Sequence, residues 1–199
     1  HPQKILQSIK ETVERDVRRY PPARPVRFKI GAHVAQWKDV MGQLRNFFQE
    51  VGKMPDIIHL LCIGKDGELT FEDNIFVTNV MLNGMLGTVE MIDPGAVRAV
   101  IITASHSDTL AASLVADEES TVPLAVGGVK SLCVRQAKEW CVGFYLSLCH
   151  GESFAKAYKA GMLNVKMQVG EAPPEMVLKE RKEGDSGRVL FPVPGSSGI

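Results

Sequence analysis

Two short stretches of this chain carry the groups from which a hydrolytic site is built. DIIHLLCIGKDGEL, from Asp56 to Leu69, holds His59 and Cys62. VRAVIITASHSDT, from Val97 to Thr109, holds Ser105 and His106. A thiol or alcohol nucleophile needs a base to take its proton, most often an imidazole. Cys62 with His59 is one such pair to weigh, and Ser105 with His106 is the other. Adjacent side chains in an extended segment point apart, so only a tight turn would join Ser105 to His106. No Gly-x-Ser-x-Gly elbow surrounds Ser105. In both stretches a buried-looking apolar run ends abruptly in small and polar residues, the pattern of a parallel strand delivering a loop to the edge of a sheet.

Composition narrows the class. A chain of 199 residues is read as one domain with a substantial core, and 45% hydrophobic with 23% charged residues is ordinary for a globular protein. The 23 basic and 23 acidic residues cancel, which argues against a nucleic-acid or membrane surface built on bulk charge. No apolar stretch is long enough to span a bilayer, and HPQKILQSIKETVERD is charged and helical, unlike a signal peptide. Cys62, Cys133, Cys141 and Cys149 read as free thiols in a reducing, cytoplasmic compartment. There is no CxxC or HxxxH spacing, so neither a metal nor another cofactor is expected.

Strands and helices alternate in the pattern. Ile5, Ile9, Val13 and Val17 mark an amphipathic helix stopped by Pro21-Pro22. Val26 to Val34 reads as a strand. A second amphipathic helix runs from Trp37 to Val51, with Gly52 placed to end it in the left-handed conformation. The runs Ile57 to Ile63, Ala99 to Thr103 and Val122 to Val126 read as strands of a parallel sheet, and GKDGELTFED as a hairpin around Asp66-Gly67. Helices are expected at about 75–86, after a cap at Ser107 or Asp108, at 129–149 and at 153–167. KERKEGDSG reads as an exposed loop, Arg188 to Pro192 as a last strand, and 193–199 as a flexible tail. The order predicts an α/β sandwich with a mainly parallel sheet flanked by helices.

The sequence of motifs resembles the CHAT-type caspase-like domains, relatives of caspases and separases. In that family an Asp-Ile-Val-His-like strand leads into a catalytic His-Gly pair, and a Gly-Glu-Leu segment follows. Asp56, Ile57, Ile58, His59, Gly64, Gly67, Glu68 and Leu69 stand in that arrangement here. A second strand of the family ends in Ala-Cys followed by Ser, and here it ends in Ala104-Ser105-His106-Ser107. Gly143-Phe144-Tyr145-Leu146-Ser147-Leu148, Gly151 and FAKAYKAG at 154–161 are similar to a later pair of helices. The likeness covers roughly residues 26–190 and implies a caspase-like three-layer sandwich. The family's first strand, ahead of its first helix, has no counterpart. An upstream segment, another polypeptide or a rebuilt sheet would have to replace it.

The departures at the centre matter most. Where the resemblance implies a catalytic imidazole the chain has Ile63, which has no ionisable atom. Where it implies the thiol the chain has Ser105, an alcohol that is a weak nucleophile without an adjacent base. Positioned acid–base groups contribute on the order of 10²–10⁴-fold in rate, so losing either member is severe. His59 lies four residues before Ile63, roughly 13 Å away along a strand. His59, Cys62 and His106 remain as substitutes. The expected reading is therefore a catalytically inactive pseudoprotease retained for binding, scaffolding or regulation of another protein. The expected partner is a protein, either an active caspase-like relative or a second copy. Arg188–Pro192 is the candidate sheet edge, guarded by Pro192 and Pro194. Two alternatives stand beside it: a hydrolase with a rearranged centre at Ser105, and a small-ligand-binding α/β domain. For the latter, Gly127-Gly128 is a lone glycine pair outside any phosphate-loop pattern.

Overall fold

The structure is a computed structural model that describes residues 2–21, 36–65, 68–71, 73–116, 122–170, 174–182 and 185–187. In chain order its elements begin with α1 (Pro2–Arg19), α2 (Trp37–Val51), β1 (Ile57–Leu61), β2 (Ile63–Lys65), β3 (Glu68–Thr70) and β4 (Phe76–Val77). They continue with α3 (Asn79–Ile92), β5 (Ala99–Thr103), α4 (Asp108–Ala116), β6 (Leu124–Gly128), α5 (Val134–Cys149), α6 (Phe154–Val169) and β7 (Met176–Glu180). The chain divides into two compact units. One holds both sheets with α2, α3 and α4, and the other holds α1, α5 and α6.

The sheet unit is built on a four-stranded sheet of order β1-β5-β6-β7. β1, β5 and β6 are parallel, and β7 runs antiparallel to β6. Every residue of β5 and β6 is buried, as their unbroken apolar runs require of central parallel strands. The fold is mixed α/β with a mainly parallel sheet flanked by helices, consistent with a three-layer α/β sandwich. Leu82, Met85 and Val89 of α3 and Leu110 and Leu114 of α4 join Ile58, Val100 and Ile102 in one core, and Trp37, Leu44 and Phe48 of α2 pack against it. Each fully buried side chain of this size contributes about 1.5–3 kcal/mol before the entropy of ordering is subtracted.

Asp56 sets the register at the start of the sheet. Its carbonyl accepts the Arg98 and Ala99 amides at 2.8 and 3.2 Å. Its carboxylate pairs with Lys53 at 2.6 Å and lies 3.7 Å from the Arg98 guanidinium. Ile57 then stands opposite Ala99, and the pairing runs on to Leu61 opposite Thr103.

Several expected boundaries move. α2 and its left-handed Gly52 (φ 81°), and β5, fall where the pattern puts them. The run from Ile57 breaks at Cys62, because Ile63 leaves β1 to begin an antiparallel hairpin with β3. β6 runs from Leu124 to Gly128, two residues later than the apolar run suggests. Phe76 and Val77 pair with β3 as β4, so the helix expected from 75 starts at Asn79 and continues to Ile92. α5 begins at Val134, not 129, because the Val129 amide bonds to the Glu175 carbonyl and the Leu132 amide to the Ser105 hydroxyl. β7, which the sequence pattern does not predict, lies mostly ahead of KERKEGDSG and takes in its first two residues, Lys179 and Glu180. Its residues after Met176 are half-buried, as befits a peripheral strand with one neighbour. The strands expected at 26–34 and 188–192, the Asp66-Gly67 turn and the 193–199 tail lie outside the described residues.

In the helical unit Trp140 stacks on Phe144 with ring centroids 4.9 Å apart, and Phe154 meets Phe144 edge-on at 5.1 Å. α5 and α6 approach backbone to backbone at two glycines. A Cβ on Gly143 would lie 2.6 Å from Asn164 Cβ, and one on Gly161 would lie 2.8 Å from both the Trp140 carbonyl and Nε1. Gly161→Ala should therefore destabilise the protein by about 1–3 kcal/mol through overpacking, despite alanine's better helix propensity. Urea unfolding followed by tryptophan fluorescence checks this, and an unchanged or raised midpoint would refute the close helix contact.

Candidate functional site

Parallel strands deliver their C-terminal ends to one edge of the sheet, where ligand and catalytic sites of α/β folds gather. β5 ends there in the turn Ala104-Ser105-His106-Ser107, with His106 at φ 53°. Few side-chain-bearing residues adopt that region. The turn is held by Ser107, which is fully buried. Its amide donates to the Gly128 carbonyl at 2.7 Å. Its hydroxyl lies within hydrogen-bond reach of the Ala104 carbonyl at 2.8 Å and the Ile102 carbonyl at 3.2 Å. The same oxygen accepts the Gly128 amide at 2.9 Å. The Ser107 carbonyl accepts the Ala111 amide and so begins α4. The residue expected as a side-chain helix cap thus uses its hydroxyl to tie the ends of β5 and β6 together.

Three glycines admit this turn. A Cβ on Gly127 would lie 2.5 Å from the Ser107 carbonyl oxygen, and one on Gly128 would lie 2.6 Å from that of Ala104. A Cβ on Gly64 would lie 1.9 Å from the Ser105 carbonyl oxygen. The two stretches that carry the candidate chemistry therefore meet: β2 lies directly against the Ser105 turn. The β1–β5 register points the same way, since Ile63 and Ser105 each follow the Leu61–Thr103 pair by two residues.

The side chains at this meeting point are poorly suited to acid–base work. Ile63 is 72% exposed and offers no polar atom. Ser105 is half-buried, and its Oγ accepts the Leu132 amide at 3.1 Å. Among the described residues no imidazole is hydrogen-bonded to Ser105. His106 is its neighbour but is exposed in the left-handed turn. His59 points elsewhere, to Thr103 Oγ1 on the adjacent strand, and burial lowers its pKa to about 4. It is a neutral, hydrogen-bonded group of the sheet at physiological pH. Cys62 lies between β1 and β2, and burial pushes its thiol up to about 12, against thiolate formation.

The remaining candidates stand apart from this turn in the chain. Cys141 and Cys149 are buried within α5, where burial pushes the Cys149 thiol up to about 12, while Cys133 precedes the helix and is exposed. Among the described residues no group of three or more His, Cys, Asp or Glu side chains converges to hold a metal ion. No described helix is long and apolar enough to cross a membrane. The sequence pattern does not point to Thr103 or Leu132 as parts of this arrangement, and it gives Ser107 only as a helix cap and a motif residue. The glycine pair that ends β6 is the available signal, but it marks close backbone packing here. No protein-family model and no curated protein matches the chain.

Two measurements follow from the buried groups. Unfolded, His59 titrates at its ordinary 6.5, whereas in the fold it stays neutral to about 4. The unfolded chain alone binds this proton in between, so stability falls as pH drops through that window and is indifferent to His59 above it. The loss is roughly 3 kcal/mol by linkage. Unfolding free energies at pH 7.5, 6 and 5 should show this slope in the wild type and a shallower one in His59→Gln. Thiol titration with a disulfide reagent should modify Cys133 rapidly in the native protein. Buried Cys141 and Cys149 should react only as it unfolds, and half-buried Cys62, with its thiol pushed up to about 12, should react far more slowly than Cys133. Native-state labelling of Cys62 at the rate of Cys133 would contradict its burial.

Proposed function

We propose that this chain is a degenerate caspase-like domain of the CHAT type, a pseudoprotease that acts by binding protein and regulating it. The observation that carries the reading is the contact of Gly64 with the Ser105 carbonyl. It brings the segment resembling the family's His-Gly pair against the one resembling its nucleophile turn, at the strand ends where such a site belongs. Ile63 replaces the base, and Ser105 serves as a hydrogen-bond acceptor for Leu132. What persists is the packing of the site without its proton relay.

A role in binding is supported by the outer face of the small sheet. Ile63, Thr70 and Phe76 stand level across β2, β3 and β4. Leu69 and Val77 on the opposite face are fully buried, while Ile63 and Phe76 are 72% and 60% exposed. Hydrophobic residues grouped on a solvent face mark contact surfaces more often than isolated ones do. The position that would supply catalysis in an active relative thus supplies apolar contact area.

The test has two parts. Fluorophosphonate and iodoacetamide probes on the folded protein, read by peptide mass spectrometry, should label neither Ser105 nor Cys62 selectively. Selective labelling of Ser105 that disappears on denaturation would instead establish a hydrolase. The double variant Ile63→His, Ser105→Cys should then create a thiol that alkylates faster at neutral pH than the single Ser105→Cys variant does, by about tenfold or more. Equal rates would remove the correspondence of these two positions with a catalytic pair.

A further inference from the structure

A second surface lies in the helical unit and is independent of the reading above. On α6, Lys159, Leu163, Lys166 and Met167 follow one another at spacings of four, three and one, which puts them on a single face. Lys159 and Lys166 are exposed, and Leu163 and Met167 are 57% and 70% exposed. No acidic residue occurs anywhere in α6. The Arg135 guanidinium donates to the Gln168 carbonyl at 3.3 Å, so the first turn of α5 lies beside the last turn of α6. That turn adds a cation, Arg135, and a third exposed apolar side chain, Val134, at 62%. The one acidic residue of α5, Glu139, is turned to Asn164, which donates to both its carbonyl and its carboxylate. In a chain of zero net charge, Leu163 and Met167 share the α6 face with Lys159 and Lys166, and among the described residues the adjoining first turn of α5 adds Val134 and Arg135.

We infer that this end of the α5–α6 pair is a docking surface for an acidic amphipathic helix of another protein. Apolar anchors one turn apart on α6, with lysines along one side of them, complement a helix with apolar residues at i and i+4 and carboxylates beside them. An anionic membrane fits less well. Stable surface attachment needs more buried apolar area or a larger basic cluster than these residues supply. A nucleic acid fits less well too, because Leu, Met and Val offer no stacking face.

The test uses the full chain and fluorescence anisotropy with a labelled synthetic helical peptide. Leucines recur at i and i+4 in this peptide, with glutamates flanking them. The control is a peptide of identical composition permuted to abolish the apolar face. The designed peptide should bind at least about tenfold more tightly than the control, and Leu163→Asp or Lys166→Glu should each weaken it about tenfold, the scale of an interface anchor. Circular dichroism confirms that these surface variants fold. A peptide with lysine in place of the facing glutamate should recover binding to Lys166→Glu. Equal binding of both peptides, indifference to the two variants, no binding, or preference for phosphatidylserine vesicles over the peptide would each overturn the inference.

Discussion

The turn from Ala104 to Ser107 presses its carbonyl groups against the backbones of β2 and β6, and the sheet unit is arranged around that contact. The gaps are too small for any side chain. At Gly64, Gly127 and Gly128 a Cβ would fall between 1.9 and 2.6 Å from a turn oxygen. Glycine loses more freedom on folding than other residues, so three of them in or beside strands weaken the chain locally. Ser107 offsets this with a buried hydroxyl that bonds both strand ends at once. A buried polar group is tolerable in this position only because it is fully paired.

The same economy runs through the polar groups near the strand ends. Ser107 is committed to backbone, His59 to Thr103, and Ser105 to the Leu132 amide. Functional sites ordinarily hold polar groups whose pairing is poor for stability and good for chemistry. Here the polar groups serve the fold, and the exposed positions beside them, Ile63 and Phe76, are apolar. The proposed binding role rests on that inversion.

The helical unit relies on close backbone approach as well, through Gly143 and Gly161, but to a different end. Removing two Cβ atoms lets α5 and α6 bury Trp140, Phe144 and Phe154 between and beside them. With the large side chains committed inward, the outward face of α6 is left to lysines and two flexible apolar residues. A helix needs only one apolar stripe to be held in place, so residues such as Leu163 and Met167 outside that stripe are not needed for packing.

Much of this was legible in the sequence. Period and length identify α1, α2, α6 and β5, because those signals depend on neighbours three or four residues apart, or on an unbroken buried run. That Ile63 carries no imidazole and Ser105 no thiol is likewise a matter of residue identity alone. Boundaries at Phe76, Val134 and Met176 escaped because they depend on partners far along the chain: β3 for β4, Ser105 and Glu175 for the loop before α5, and β6 for β7. The amino-acid sequence by itself determined that position 63 offers no acid–base group, since no fold can give isoleucine a proton to exchange. Only the tertiary structure decided that Ile63-Gly64 and Ser105 meet, that His59 turns to Thr103, and that Ser107 joins two strands. Those outcomes rest on contacts between segments about 20 to 45 residues apart, and local pattern carries no record of such distances.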